Sequence, residues 1–143
     1  MKKKILDLGC GEKKREGAIG IDNGNNINTD IKHDLNTFPY PLDSDYFDEI
    51  YLDNILGELD YLFQTMEEVY RVGRIGCAVT VIVPYFRSRY AYIHPNIKSF
   101  FNVDTFAYFD KNHEIYNRYK YTNCTFKTKK IVFDEDIKSS RLN

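Results

Sequence analysis

The sequence predicts an α/β domain on a mostly parallel sheet with an antiparallel margin, and three observations carry that expectation. Short apolar runs recur through the first 83 residues, separated by polar turns and by one stretch of helical periodicity. The first two runs, within ILDLGCGEKKREGAIGID, are joined by a glycine-rich turn. Near the carboxyl end, apolar and polar residues alternate as in a half-exposed antiparallel pair.

Taken in order, residues 4–8 read as a buried strand ended by Gly9, and Ala18–Asp22 as a second strand ended by NGNN. The roughly ten residues between them are too few for a full crossover helix, so a turn or loop is expected. Residues 28–34 are expected to form a short third strand, and HDLNTFPYPLDSDYFDE, with its two prolines, a loop. Phe47–Asp53 is the fourth strand. Leu59, Leu62, Phe63, Met66, Val69 and Tyr70 then recur at helical spacing, and the helix should end near Gly73 or Gly76.

Residues 78–83 are apolar at nearly every position, which predicts a central strand covered on both faces. YFRSRYAYIHPNIKSFF is aromatic, basic and irregular, and residues 103–109 suit a short helix. Residues 114–121 and 125–133 alternate and are expected to pair as antiparallel strands.

Composition narrows the function classes. The 143 residues suit one domain, 1–143, with 43% hydrophobic content and 12 Tyr plus 10 Phe as core material. Cys10, Cys77 and Cys124 are odd in number, widely spaced and without CxxC, which argues against a disulfide framework or a zinc site and suits a reducing cytoplasm. The longest strongly apolar run, CAVTVIV, is far too short for a membrane span, and no signal region precedes the first strand.

Net charge is −1, yet residues 1–70 carry 7 basic and 15 acidic side chains while residues 71–143 carry 13 and 6. A nucleic-acid partner is not indicated, whereas the basic half suits an anionic acceptor. The aromatic surplus in so small a domain suggests a homodimer.

The glycine turn decides among ligands. A dinucleotide site wants GxGxxG with an acid about 20 positions on; here Lys14 stands at the third glycine position and Asp22 follows Gly11 by only 11 residues. No GxxxxGK[ST] phosphate loop is present. What fits is a ligand with an adenosine end and no pyrophosphate.

Asp7-Leu8-Gly9-Cys10-Gly11 resembles the D-x-G-x-G first motif of the class I methyltransferases that use S-adenosylmethionine (SAM). GAIGID, HDLNTFPYPLDSDYFDEIYLDNIL, EEVYRVGRIG, VIVPYF and IHPNIKSFFNVDTFAYFD resemble further segments of small methyltransferases, in the same order. The resemblance implies a Rossmann-like, doubly wound, mostly parallel seven-stranded sheet with an antiparallel C-terminal strand, shortened at its N-terminus. It also implies SAM as cofactor and S-adenosylhomocysteine as product.

Carried over residue by residue, Gly9 and Gly11 admit the methionine part of the cofactor with Cys10 between them. Asp7 sets the turn and senses the amino group, and Asp22, with Asn23 beside it, accepts from both ribose hydroxyls. Asp34 takes the adenine amino group with Leu35 against the ring. Asp53 and Asn54 leave the fourth strand where the reactive methyl belongs.

The carry-over stops short of a catalytic residue. Where relatives carry a Glu-His pair, this chain reads Gly57-Glu58, and His94-Pro95-Asn96-Ile97-Lys98 departs from their D-P-T-H-K-like segment. Substrate-side candidates are Tyr85, Arg87, Arg89, Tyr92 and His94, which follow the fifth strand. The competing reading is a SAM-binding regulatory or partner subunit without catalysis. A dinucleotide enzyme is disfavoured by Lys14 and the short spacing to Asp22.

Overall fold

Five short runs become neighbouring parallel strands because each is apolar toward one shared face. The computed structural model describes residues 2–133. Its strands are β1 (Ile5–Leu8), β2 (Ala18–Asp22), β3 (Ile31–Lys32), β4 (Phe47–Asp53) and β5 (Gly73–Ile82), ordered β3-β2-β1-β4-β5 with every pairing parallel. Leu6 lies in register with Ile19 and Ile50, and Ile50 with Val79, so one face carries an apolar row across the sheet.

That row packs into a single core. Leu6, Leu8, Ile21, Ile50 and Leu52 are fully buried with Met66, Val69 and Val72 of helix α1 (Leu62–Val72), and Phe101 and Phe109 close the cluster. Burying each such side chain contributes roughly 1.5–3 kcal/mol. The chain between β1 and β2 crosses as turns without a helix, as its length predicts.

The α/β class, the parallel sheet and the first four strands match the expectations, with β1 and β3 shorter than predicted. A short 3₁₀ helix at Thr105–Phe109 stands inside the helix expected over 103–109. Two elements were not foreseen: a 3₁₀ turn at Leu56–Glu58 and the four-residue helix α2 (Tyr90–Ile93).

Three expectations are corrected. β5 is not a central strand covered on both faces: among the described residues it is the sheet's edge, with Cys77, Val79 and Val81 against the core and Ala78, Thr80 and Ile82 exposed. Residues 114–121 are not a strand, because Glu114–Tyr119 forms helix α3. There the His113 ring accepts from the Ile115 N–H, Arg118 pairs with Glu114 one turn away, and Lys120 closes the helix in a left-handed conformation.

Residues 125–133 form no strand; the Phe126 N–H donates to the Phe109 carbonyl. The described sheet therefore has five strands, all parallel, without the antiparallel pair. No helix among the described residues is long and apolar enough to cross a membrane.

Candidate functional site

The turn after β1 is fastened to β2 by three successive N–H groups. Gly9 and Cys10 both donate to the Ile21 carbonyl at 2.8 and 3.3 Å, and Gly11 donates to Asp22 Oδ2 at 2.9 Å. Gly9 (φ +76°) and Gly11 (φ +55°) are both left-handed, which is why glycine stands at each.

Their surroundings differ. A Cβ on Gly9 would lie 2.5 Å from Ile55 Cγ1, whereas nothing lies within 4 Å of one on Gly11. The Cβ direction is thus open at Gly11, and at Gly9 it is taken by Ile55. Close approach of turn and strand comes from Gly20 on β2, where a Cβ would meet Lys14 Cδ at 2.7 Å and Cys10 Sγ at 2.8 Å. Lys14 lies across Gly20 and reaches Asp30 at 2.8 Å. The Gly20 N–H and the Lys14 ammonium, both donating to Asp30, hold its carboxyl below the usual range.

Asp7 is buried and Asp7 Oδ2 accepts from the Arg15 N–H at 2.9 Å, which ties the chain after the glycine turn back to β1. Burial pushes its carboxyl up, and the Arg15 N–H opposes that. Asp7 is in register with Tyr51 of β4, and the Arg15 guanidinium lies 4.0 Å above the Tyr51 ring. Asp53 follows on the same strand, and Asn54 (φ +54°) donates to its carboxylate while its own N–H is tied to the Ile82 carbonyl.

Two cavities open beside this turn. One, about 360 Å³, is lined by Asp7, Gly9, Cys10, Gly11, Glu12, Lys13, Arg15 and Asp53. The other, about 260 Å³, is lined by Asp22, Asn23, Asp34, Leu35, Asn36, Ile55, Glu58, Leu59, Asn96 and Lys98. Gly9 borders the first and Ile55, packed against it, borders the second. Both lie beyond the carboxyl ends of β1, β2 and β4, where the strand order reverses and open α/β sheets hold ligands.

In the second cavity both Asp22 oxygens already accept backbone N–H groups, Oδ1 from Gly24 at 2.7 Å and Oδ2 from Gly11, and each keeps a further lone pair. Asp34 accepts from the Asn36 N–H at 2.9 Å. Leu35 and Leu59 supply buried apolar wall.

Nine of the ten predicted cofactor residues line one cavity or the other; Asn54 lines neither and acts on Asp53. None of the five substrate-side candidates, Tyr85, Arg87, Arg89, Tyr92 and His94, lines either cavity: Tyr85 packs on Phe86 and Phe133, and Tyr92 stacks on Phe100. His94 Nδ1 stands 3.6 Å from Glu58 Oε1 at the rim of the second cavity. Nearby, Lys98 pairs with Asp60 and its N–H holds the Gly57 carbonyl.

Sequence reasoning missed Arg15, Lys13 and Glu12 in the first cavity, and Ile55, Leu59, Asn36, Asn96 and Lys98 in the second. The adjacency of GEKKR to the glycine turn was the available signal for the first group. The second group depends on a loop that folds back over the 3₁₀ turn.

No family model and no curated protein matches this chain. Among solved structures it is similar to a SAM-dependent methyltransferase from Archaeoglobus fulgidus, at TM-score 0.62 and 17% identity, over 97% of this chain and 76% of that one. A SAM-dependent methyltransferase from Aquifex aeolicus is matched at TM-score 0.50 and 19% identity, over 68% and 65% of the two chains. The YcgJ protein from Bacillus subtilis is matched at TM-score 0.48 and 17% identity, over 59% and 45%. This chain spans less than half the length of that last relative. The likeness is one of fold: the chain has the Rossmann-like α/β fold of class I SAM-dependent methyltransferases.

Proposed function

We propose that this chain is a single domain that binds S-adenosylmethionine and transfers its methyl group by in-line displacement to an acceptor, leaving S-adenosylhomocysteine. The observation that carries the reading is the pair of cavities flanking the Gly9–Ile55 contact at the sheet's switch point. Their linings fit the two ends of that cofactor. Acids and apolar walls suit an adenosine in the second cavity, and mixed charges suit an amino acid in the first.

In this reading Asp22, beside Asn23, accepts from the ribose hydroxyls on the lone pairs left over by Gly11 and Gly24. Asp34 and Leu35 receive the adenine, Gly11 and Cys10 let the methionine portion approach the backbone, and Asp7 and Asp53 attract the ammonium. When bound, the cofactor supplies a methyl group already activated on a sulfonium sulfur, so the chain's task is mainly to position the acceptor and exclude water. No general base is assigned, because the need for one depends on whether the acceptor is an amine, a hydroxyl or a carbon acid.

The acceptor is anionic in this reading and contacted by Tyr85, Arg87, Arg89, Tyr92 and His94; a membrane is not part of the reading, and nucleic acid is not indicated by the near-zero net charge. The run of exposed apolar side chains at Tyr90, Tyr92, Ile93 and Phe100 supports a homodimer. The cysteines, all free, suit the cytoplasm.

Calorimetric titration with S-adenosylhomocysteine and separately with NAD tests the reading. Binding of the first alone is expected, and binding of NAD alone would overturn it. The placement of all five substrate-side candidates outside both cavities favours a second reading, a SAM-binding subunit without catalysis. Release of S-adenosylhomocysteine on incubation of SAM with a pool of anionic small-molecule acceptors separates the two.

A further inference from the structure

Arg15 carries a guanidinium with no hydrogen bond to any described residue. Its central carbon lies 4.0 Å above the Tyr51 ring. Its Nη2 stands 3.8 Å from Asp53 Oδ2, beyond hydrogen-bond reach, and its buried Nε has no partner. Arg71 is the contrast: its guanidinium donates to both oxygens of Glu68, to the Leu42 and Tyr40 carbonyls and to Ser44 Oγ. Arg71 is a structural clamp, whereas Arg15 is held by stacking and by its own N–H on Asp7, with its fork of donors unspent.

That fork borders the cavity onto which Gly11 opens. A planar, pre-oriented guanidinium matches a carboxylate with two parallel hydrogen bonds. The other charged groups of this cavity are Asp7, Glu12 and Asp53 against Lys13. A dianionic phosphate would meet three carboxylates there, while a zwitterion, neutral as a whole, meets a partner for each end.

We propose that Arg15, shelved on Tyr51, is the residue that binds the α-carboxylate of an amino-acid ligand end, drawn off Asp53 into a two-pronged pair with it. This rests on the SAM reading above, and it makes Arg15 the determinant of selection between S-adenosyl ligands with and without that carboxylate.

Three ligands are titrated calorimetrically into the wild type and Arg15→Gln: S-adenosylhomocysteine, its decarboxylated analogue, and 5′-methylthioadenosine, which lacks the amino acid altogether. The wild type should prefer the carboxylated ligand over the decarboxylated one by about tenfold or more. Arg15→Gln should lose that preference while its affinity for 5′-methylthioadenosine stays within about twofold, which also shows that the variant is folded.

Equal binding of the two S-adenosyl ligands by the wild type, or an undiminished preference in the variant, overturns the assignment and leaves the SAM reading standing. Binding of none of the three by the wild type overturns both. If Arg15→Gln loses 5′-methylthioadenosine as well, Arg15→Lys decides: it keeps the cation and the stem over Tyr51 but not the fork, so a reduced preference supports the role and a full one overturns it.

Discussion

Ile55 occupies the space that a side chain on Gly9 would need, its Cγ1 2.5 Å from the position a Cβ would take. Two glycines separated by one residue therefore do different jobs. Gly9 lets β1 and the segment after β4 pack together, and Gly11 leaves the approach to the cavity clear.

Alanine substitutions should separate those jobs. Gly9→Ala adds a clash with the Ile55 side chain to the strain of a left-handed residue and should cost about 3 kcal/mol of stability. Gly11→Ala bears the conformational strain alone, about 1 kcal/mol, and should act chiefly on ligand binding. Urea midpoints for the two variants check the order; equal losses would mean that Ile55 moves aside freely.

Asp22 joins turn, strand end and cavity through one carboxylate. Asp22→Ala removes the acceptor for two backbone N–H groups as well as the oxygens proposed to meet the ribose. A loss of at least about 1.4 kcal/mol in S-adenosylhomocysteine affinity, a factor of ten, is expected. Asp22→Asn keeps one acceptor and should lose less. Calorimetry on both decides, and an unchanged affinity in Asp22→Ala would remove this residue from the site.

The Glu68–Arg71 clamp beneath the Tyr40 loop gives an acid limb to stability. Burial alone would raise the Glu68 carboxyl, but the hydrogen bonds from Arg71 and the Tyr40 N–H more than offset it and hold it below its ordinary value of 4.5. A depressed carboxylate stabilises the fold above the unfolded value, and the contribution fades as pH falls below 4.5 through the folded value. Glu68→Gln should lower stability near neutrality by about 2 kcal/mol and flatten its decline toward about pH 3. Urea unfolding over that range tests this, and parallel curves for the two proteins would contradict it.

What the sequence made legible follows from locality. Buried parallel strands read as continuous apolar runs, so β1, β2 and β4 stand out, and the turn announces itself through Gly9, Gly11 and Asp22. β5 begins earlier than it reads because Gly73, Arg74 and Gly76 carry no strand signal, and its apolar run mimics a strand covered on both sides. In IYNRYKY the alternating and helical periods both fit, and the His113 cap with the Glu114–Arg118 pair decides for the helix. Arg15 escaped because its shelf, Tyr51, comes beside Asp7 only through the pairing of β1 with β4, which is non-local.

The basic segment after β5 tests the acceptor side independently of the cofactor side. Arg87 and Arg89 are exposed; Arg89 lies over the Tyr90 ring at 5.1 Å, and neither arginine borders either of the two cavities at the glycine turn. Replacing both with alanine should therefore change stability by no more than about 0.5 kcal/mol and leave S-adenosylhomocysteine affinity within about twofold. If this segment draws an anionic acceptor to the open face of the site, the double variant should raise the KM for that acceptor several-fold with kcat nearly kept, and added salt should shrink the difference by screening the wild type. A kcat/KM unchanged at low salt would mean that the acceptor reaches the methyl group from the Tyr51 face of the sheet, and the basic half of the chain would then serve only to balance the acidic one.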